Sequence, residues 1–558
     1  MFCYHCQEAK KNKVCDTAGI CGKKANVASL QDLLMFSLKG LAYYCTRAET
    51  FELVSDKTDR FMAKALFSMV TNVNFDPADF VGLIDEAVRR RDSIRKKFLA
   101  AYKLRHGEEF NEALPEEASW HYDAIDEKAF TAKGETVGVE KDLEKLDPDV
   151  HALQECLLYG VKGLGSLAVH AQEMNVEETE QYRFMHQVLN FTLALNNSLE
   201  DVMQMLLRCG ELGLAAMGRL NQANSDRFGD PEPTTVYLDT WDRPGILVSG
   251  HDLHDIEDLL EQTAGTGVDV YTHGEAIAAH AYPALKKYFN LVANYGNAWQ
   301  DQKTEFPKFN GPILVTTNSI QQPKKTYQDK LFSTGMVGWP DVTHIPDRKP
   351  GQRKDFSALI ELAKQSEPPT PLADGTTTTG YGIKSLCALS DSIAEAIKAE
   401  KIKRIIVLAG CDGRHKERRY YSELADSLPE DALIVTAGDT KYRFHQKDFG
   451  RIGDIPRFLD AGQSNDFHGI IVFLQQLQQK LDSSELQHLP VSFNIAWYEQ
   501  KTILMMLALF ALNFKNVRVG PTLPPFFTPK ILEMLGDNYG LKGIDSAEND
   551  VAAMMAGE

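Results

Sequence analysis

The first 225 residues carry a helical pattern of apolar and polar positions, and part of this pattern occurs twice. The segments LQDLLMFSLKGLAYYCTRA (30–48) and LQECLLYGVKGLGSLAVHA (153–171) share Leu-Gln, an acidic residue, Lys-Gly-Leu and a final Ala, at a constant offset of 123 residues. Their apolar residues recur at intervals of three and four, which is typical of amphipathic helices. We therefore expect two related helical bundles between residue 25 and residue 225.

Beyond residue 226 the pattern changes, and short β-branched runs alternate with helical stretches. The runs are PGILVSG, VDVYTHG, GPILVTTN, KRIIVLAG, ALIVTAG, HGIIVFLQQL, VSFNIAWY and NVRVG. Continuous apolar strands between helices are typical of parallel sheets that are covered on both faces. The predicted fold is multidomain α plus α/β, with a helical domain (1–225) followed by two Rossmann-like α/β domains with parallel sheets (226–372 and 373–558).

Polar residues follow most of these apolar runs directly. They are His251, Glu275, Ser319, Cys411, Asp439 and Glu499, with Lys501 close behind. Open parallel sheets bind ligands outside the carboxyl ends of their strands, and several of these residue types are metal ligands. If the two sheets face each other, these side chains would form one site between the domains.

Four of the nine cysteines lie within the first 21 residues. Cys3, Cys6, Cys15 and Cys21 have the spacing C-x2-C-x8-C-x5-C. Four thiolates with a close pair are typical of iron–sulfur clusters, although a tetrahedral zinc ion uses the same ligands. The spacing favours iron–sulfur over zinc and leaves unliganded thiols as a third interpretation.

Composition narrows the function classes. The 558 residues include 60 basic and 78 acidic side chains, a net charge of −18, which argues against a surface that binds nucleic acid or an anionic membrane. The longest apolar stretch, TILMMLALFALNF, is too short for a membrane span and predicts a buried helix. We find no secretory signal and expect a cytoplasmic protein with reduced cysteines. GTGVDVYTHG lacks the GxGxxG spacing, so we expect no bound NAD or flavin.

The sequence resembles the hybrid-cluster proteins, the prismane or hydroxylamine reductase family, over essentially its whole length. The resemblance rests on the cysteine spacing and on motifs that include TNVNFDP, VSGHDLHDIEDLLEQT, GVDVYTHGE, NYGNAW, TGMVGWP, GCDG, WYEQK and GPTLPPF. It implies a helical domain of two bundles followed by two Rossmann-like domains. It also implies a [4Fe-4S] cluster on the four N-terminal cysteines and a second, hybrid Fe–S–O cluster where the three domains meet.

Family members hold the hybrid cluster with one His, two Glu and four Cys, one of which carries a persulfide. Carried over by motif, the ligands are His251 in SGHDLHD, Glu275 in THGE and Glu499 in WYEQK, with Lys501 beside it. Cys411 in GCDG matches the persulfide-bearing cysteine. The resemblance thus assigns metal binding to these residues.

Three cysteines of the family pattern are replaced in this chain. Ser319 stands in TTNSI, Asp439 in TAGDTKYRF and Ser464 in AGQSND, at the positions where the family has cysteine. Thiolates are the soft ligands that an iron–sulfur assembly needs, and Asp is a hard anionic ligand. The remaining set suits ferrous iron, manganese or zinc better than a sulfide-rich cluster.

Three functions follow from this pattern. The first is a redox enzyme that takes electrons from a separate redox protein and reduces a small nitrogen compound, such as hydroxylamine or nitric oxide, with Glu499, Lys501 and Cys411 as catalytic residues. The second is a remodelled N/O metal site with other chemistry, such as peroxide or oxygen reduction or a hydrolysis. The third is a non-catalytic electron carrier, sensor or partner subunit. The sequence does not determine the oligomeric state.

Overall fold

The computed structural model describes residues 1–317, 320–349 and 351–558, and it consists of a helical region followed by two parallel six-stranded sheets. The predicted α plus α/β fold class is therefore confirmed. The exact domain boundaries at 225/226 and 372/373 stay predictions.

The helical region contains a set of three helices that occurs twice. The helices are α1 (Ala25–Ala48), α2 (Asp56–Ser68), α3 (Pro77–His106), α4 (Glu116–Ser119), α5 (Glu127–Gly134), α6 (Val139–Leu143), α7 (Pro148–Glu173), α8 (Thr179–Phe191) and α9 (Leu199–Phe228). Helices α2 and α8 both have 13 residues, and α3 and α9 both have 30. The repeat that the sequence shows in α1 and α7 thus extends over both sets.

The two sets of helices are interlocked. α1 packs against α3, and α7 packs against α9, within each set. In contrast, α2 packs mainly against α7, and α8 packs mainly against α1. The two predicted bundles therefore exchange their middle helix, so that α1 and α7 share one core.

The first sheet has the strand order β4-β3-β2-β5-β6-β7, and all its neighbouring strands are parallel. Its elements, with the outlying β1 and β8 that pair with each other, are β1 (Thr234–Tyr237), β2 (Gly245–Ser249), α10 (Leu253–Thr263), β3 (Asp269–His273), α11 (Pro283–Lys286), β4 (Leu291–Asn294), α12 (Gln302–Glu305), β5 (Ile313–Val315), β6 (Leu331–Thr334), β7 (Thr343–Ile345), α13 (Ser357–Lys364) and β8 (Thr376–Thr379).

The second sheet has the order β13-β10-β9-β14-β15-β16 and is also parallel throughout. The elements here are α14 (Ile383–Ala388), α15 (Ser390–Lys398), β9 (Arg404–Gly410), α16 (Arg419–Ser427), β10 (Ala432–Ala437), β11 (Arg451–Ile452), β12 (Ile455–Pro456), β13 (Phe458–Asp460), α17 (Phe467–Lys480), β14 (Val491–Ala496), α18 (Gln500–Ala511), β15 (Val517–Gly520), α19 (Pro529–Tyr539), β16 (Leu541–Gly543) and α20 (Ala547–Ala556).

One predicted strand is wrong. The run HGIIVFLQQL lies in helix α17, whose buried residues include Phe467, Ile470, Ile471, Leu474 and Leu477. This spacing of three and four is that of one helix face, and the three consecutive β-branched residues in its middle do not outweigh it.

Helix α18 connects the second sheet to the helical region. It contains most of the apolar stretch TILMMLALFALNF and is buried along nearly its whole length, as predicted. It lies against α7 and α9 at four glycines that leave room for its backbone and side chains: Gly160, Gly163, Gly210 and Gly213. Within the described ranges, no helix has the length and apolar character that crossing a bilayer requires.

Candidate metal and redox site

The predicted site residues lie at the carboxyl ends of strands in both sheets. His251 follows β2 and Glu275 follows β3 in the first sheet. In the second sheet, Cys411 follows β9, Asp439 follows β10 and Glu499 follows β14. Contacts across the two sheets bring these side chains into one buried region, because parallel strands present all their carboxyl ends at the same edge.

Glycines turn the chain at these strand ends. The residue before each of four predicted ligands is a glycine with a positive φ. At Gly410 φ is +108°, and an added Cβ would lie 3.1 Å from the carbonyl carbon of Ala496. At Gly438 φ is +90°, and an added Cβ would lie 3.1 Å from Ser464 Oγ. Only glycine fits such positions at low cost, so these strand ends specify where the next side chain points.

A hydrogen-bonded chain crosses the site from the first sheet to the second. His251 Nε2 lies 3.0 Å from Glu275 Oε2 and 3.0 Å from Lys501 Nζ. Ser464 donates from its backbone N–H to Glu275 Oε2 at 2.7 Å, and its hydroxyl donates to Oε1. The other ring nitrogen of His251 lies 2.6 Å from Thr317 Oγ1, which fixes the orientation of the ring.

A second group of contacts surrounds Glu499, which caps the N-terminus of α18. Its Oε2 accepts the backbone N–H of Lys501 at 2.9 Å, and its Oε1 accepts the Cys411 thiol at 3.3 Å. Asp439 is 4% exposed, and its Oδ1 has no hydrogen-bond partner within the described parts of the chain. A buried carboxylate oxygen without a donor is costly, so Asp439 has a free coordination position.

Burial controls the ionisation of this site. Burial raises the pKa of the Cys411 thiol and of the Asp439 carboxyl, and neighbouring carboxylates raise both further. Burial lowers the pKa of His251. At Glu275 burial opposes ionisation, but His251 and Lys501 hold the pKa of the carboxyl below its usual value. The site therefore favours an anion at Glu275 beside a thiol, a carboxyl and an imidazole that burial shifts toward their neutral forms.

The four N-terminal cysteines line one small pocket with a cavity volume of about 20 Å³. Cys3 and Cys15 pair through reciprocal backbone hydrogen bonds. Burial raises the pKa of the thiols of Cys6 and Cys21. Lys23 Nζ approaches Cys3 Sγ to 3.7 Å and supplies a positive charge. Four thiols that line one pocket with a cation beside them are the residue types that hold an iron–sulfur cluster.

An aromatic pair lies between this pocket and the strand-end site. Cys6 packs against a small buried cluster of Trp299, Tyr498 and Cys411. The two rings have centroids 4.3 Å apart. Arg418, fully buried, donates to the backbone oxygen of Cys411 at 2.8 Å and holds that loop in place. The thiol pocket and the strand-end site are therefore joined by packed side chains.

The strand-end side chains pair with one another rather than around a common centre. In the described ranges, no three His, Cys, Asp or Glu side chains are arranged to enclose a metal ion. Ser319 lies outside the described residues. The donor set contains one thiol, Cys411, beside imidazole, carboxylates and the Ser464 hydroxyl, which already donates to Glu275. This set fits a metal with N/O ligands and does not fit a sulfide-rich cluster.

Three residues of the site were missed from the sequence. Thr317 fixes His251, and Gln463 Nε2 donates to the backbone oxygen of His251 at 2.8 Å. Arg418 supports Cys411 from seven residues further along the chain. Thr317 and Gln463 each lie within two residues of a predicted ligand, so a search of the residues around each strand end could have included them. Nothing in the sequence distinguishes Arg418.

Comparison with known proteins agrees with this architecture. The hydroxylamine reductase of Halothermothrix orenii is 48% identical over 558 residues, and that of Nitratidesulfovibrio vulgaris is 44% identical over 560, with both chains covered completely. Carbon monoxide dehydrogenase IV from Carboxydothermus hydrogenoformans shares the fold at 14% identity, with a TM-score of 0.54 over 100% of this chain and 92% of that one. The model of the Prismane/CO dehydrogenase family matches residues 1–552, and the chain belongs to this family.

Proposed function

We propose that this chain is an oxidoreductase that reduces a small nitrogen–oxygen compound, hydroxylamine or nitric oxide, at the strand-end site. For hydroxylamine, two electrons and two protons break the N–O bond and give ammonia and water. Membership of the family implies iron–sulfur clusters, and the chain is an iron–sulfur redox protein that resembles hydroxylamine reductase. Its electrons would come from a separate redox protein.

The observation that carries this proposal is the packed connection from Cys6 through Trp299 and Tyr498 to Cys411. Cys3, Cys6, Cys15 and Cys21 would hold a [4Fe-4S] cluster, which would supply electrons, and the buried side chains packed against Cys6 would lead from it to the strand-end site. Such a connection has no purpose in a zinc site, which is redox-inactive.

We assign roles to the site residues from their contacts. His251, Glu275, Asp439 and Glu499 would hold a second metal, which would bind and polarise the substrate. Lys501 and Glu499 adjoin one another and would deliver protons to the product nitrogen and oxygen.

Cys411 donates to Glu499 and would be the single sulfur ligand. Ser464, and Ser319 outside the described residues, stand at cysteine positions of the family pattern; Ser464 would orient Glu275 and not bind a metal.

The test combines metal content with product analysis on protein purified without oxygen. Iron, acid-labile sulfide and other metals are measured per chain, and ammonia is measured when a chemical one-electron reductant and hydroxylamine are supplied. Cluster assembly with ammonia formation that Glu499→Gln abolishes, and that the exposed control Glu423→Gln retains, supports the proposal. Iron–sulfur protein that forms no ammonia overturns the assignment as a hydroxylamine reductase.

Among the described residues Asp439 Oδ1 has no hydrogen-bond partner, and this favours a second candidate, a mononuclear or dinuclear N/O metal site with other chemistry. Peroxide or oxygen reduction and hydrolysis are reactions that such a site supports. Four irons and four sulfides per chain, a further metal that Asp439→Asn removes, and no ammonia formation would favour this candidate over the reductase.

A further inference from the structure

The repeated sequence motif brings charged residues together inside the helical region. In each copy an acidic residue follows Leu-Gln, and a lysine comes seven residues later: Asp32 and Lys39 in α1, Glu155 and Lys162 in α7. Seven residues are about two helical turns, so the acid and the lysine of each copy lie on the same helix face. Both copies line the same chamber, so their charged residues lie close together.

These four side chains line one chamber of about 250 Å³. Glu155 is 4% exposed and Lys162 is 5% exposed, yet in the described parts of the chain neither they nor Asp32 make a hydrogen bond or ion pair through their charged groups. Lys39 pairs with Asp142 at 3.5 Å. Lys162 Nζ lies 5.7 Å from the centroid of the Tyr159 ring, its one charge contact in the described residues. Buried charges without hydrogen-bond partners need water, and a chamber of this size holds roughly eight water molecules.

The chamber adjoins the pocket of the four cysteines. His5 lines both the chamber and the pocket. Lys23 Nζ lies 3.7 Å from Cys3 Sγ on one side and donates to Gln31 Oε1 at 2.6 Å on the other. At its far end the chamber is lined by the exposed residues Glu116 and Lys145. It therefore connects solvent with the wall of the thiol pocket.

We propose that this chamber is a proton reservoir coupled to electron uptake at the four cysteines. As the group bound there gains one electron from the redox-protein donor, a carboxylate of Asp32 or Glu155 takes up one proton from solvent water. The charge added on one side of the wall of His5, Lys23 and Gln31 is thereby neutralised on the other. The proposal rests on the cluster assigned under the proposed function, and it adds a route by which protons accompany the electrons.

Burial and the charges around the two carboxyls bring their proton uptake near neutral pH. Burial raises the pKa of Asp32 to about 8 and also raises that of Glu155. The groups that face Asp32 come from every neighbouring element. They are Lys39 on α1, Glu155 and Lys162 on α7, Asp142 on α6, Lys145 after it, Glu116 and Glu117 on α4, and His5 and Lys23 on the N-terminal segment. The lysines favour the ionised carboxyl and the acids oppose it, and an added negative charge at the cysteines shifts the balance towards protonation.

The test is a redox titration of the cysteine-bound cluster, monitored by EPR. It is repeated between about pH 6 and pH 9, a range that brackets the pKa of Asp32. In the unaltered protein the midpoint potential should fall as pH rises, by up to about 59 mV for each tenfold fall in proton concentration. The double variant Asp32→Asn/Glu155→Gln should be nearly independent of pH. Asp59→Asn is the matched control: Asp59 lies in the same helical region, bonds to His186 at 2.8 Å and does not line the chamber, so its slope should be unchanged.

Either a pH-independent potential in the unaltered protein or an unchanged slope in the double variant overturns the proposal. A second measurement needs no variant: the reduced-minus-oxidised infrared spectrum should gain a carboxylic acid band that shifts in D₂O, and its absence also overturns the proposal. The two proposals fail in different ways. Protein without iron at the cysteines overturns both the proposed function and the proton reservoir. Protein that holds the cluster but has a pH-independent midpoint potential overturns the proton reservoir alone.

Discussion

The position of α18 determines where Glu499 and Lys501 lie, and a single methyl group tests how tightly that helix is held. At Gly210 on α9, an added Cβ would stand 2.5 Å from the carbonyl carbon of Leu507 and closer still to its oxygen. This falls about 0.9 Å short of the 3.4 Å at which ordinary contact begins. Because the obstacle is backbone, the whole helix must shift, so Gly210→Ala should destabilise the protein by about 1–3 kcal/mol.

The shift should affect function more than stability. A displacement near 1 Å at the start of α18 moves both side chains of the candidate site, and such misplacement costs roughly 100-fold in rate. The assays are urea unfolding followed by circular dichroism and the rate of ammonia formation from hydroxylamine.

Gly82→Ala is the matched control for Gly210→Ala. Gly82 lies in helix α3 and has nothing within 4 Å of an added Cβ. The same substitution there should stabilise the protein by about 1 kcal/mol, since alanine favours the helix. If Gly210→Ala behaved like Gly82→Ala in both assays, the contact at Gly210 would not position α18, and this reasoning would be wrong.

Three further predictions concern the connections between regions. Glu8→Ala removes the carboxylate that pairs with Arg414 at 2.5 Å. We expect the free energy of unfolding to fall by about 3 kcal/mol or more and metal analysis to find less iron per chain. An unchanged iron content would contradict this prediction. Asp255→Asn removes the carboxylate that lies 2.9 Å from Lys354 Nζ and 2.7 Å from the Arg348 guanidinium and should cost about 3–5 kcal/mol at neutral pH. Burial alone would raise the pKa of Asp255, but Lys354 and a nearby arginine hold this pKa below its usual value. The stabilisation from Asp255 is therefore present above about pH 4 and is lost as pH falls further. Urea unfolding midpoints should accordingly depend less on pH in the variant than in the unaltered protein at acid pH. Trp299→Leu should lower kcat without raising KM and leave iron content unchanged, since it breaks the ring pair between the thiol pocket and Cys411; an unchanged kcat would exclude this route.

The sequence was informative where one local rule determines a large feature. Parallel strands collect their carboxyl ends at one edge, so a reading of the residue after each apolar run was enough to group His251 with Glu275 and Cys411 with Glu499. The same reasoning failed at α17, where three consecutive β-branched residues within a helical spacing were interpreted as a strand. It also did not reach Arg418, which acts on Cys411 only through the fold.

The repeated helix motif shows which feature of the fold could not be predicted from the sequence. An offset of 123 residues predicts two similar helices, and the shared apolar positions explain most of the similarity as core packing. Core packing does not explain why both copies also retain an acid and a lysine on the buried face, because isolated buried charges destabilise a fold. The fold brings the two faces to one chamber and places Asp32 and Glu155 behind the wall of the cysteine pocket. The acid and the lysine occupy the same positions in both copies of the repeat and lie beside a redox site. Charge compensation during electron uptake explains these buried charges better than folding does.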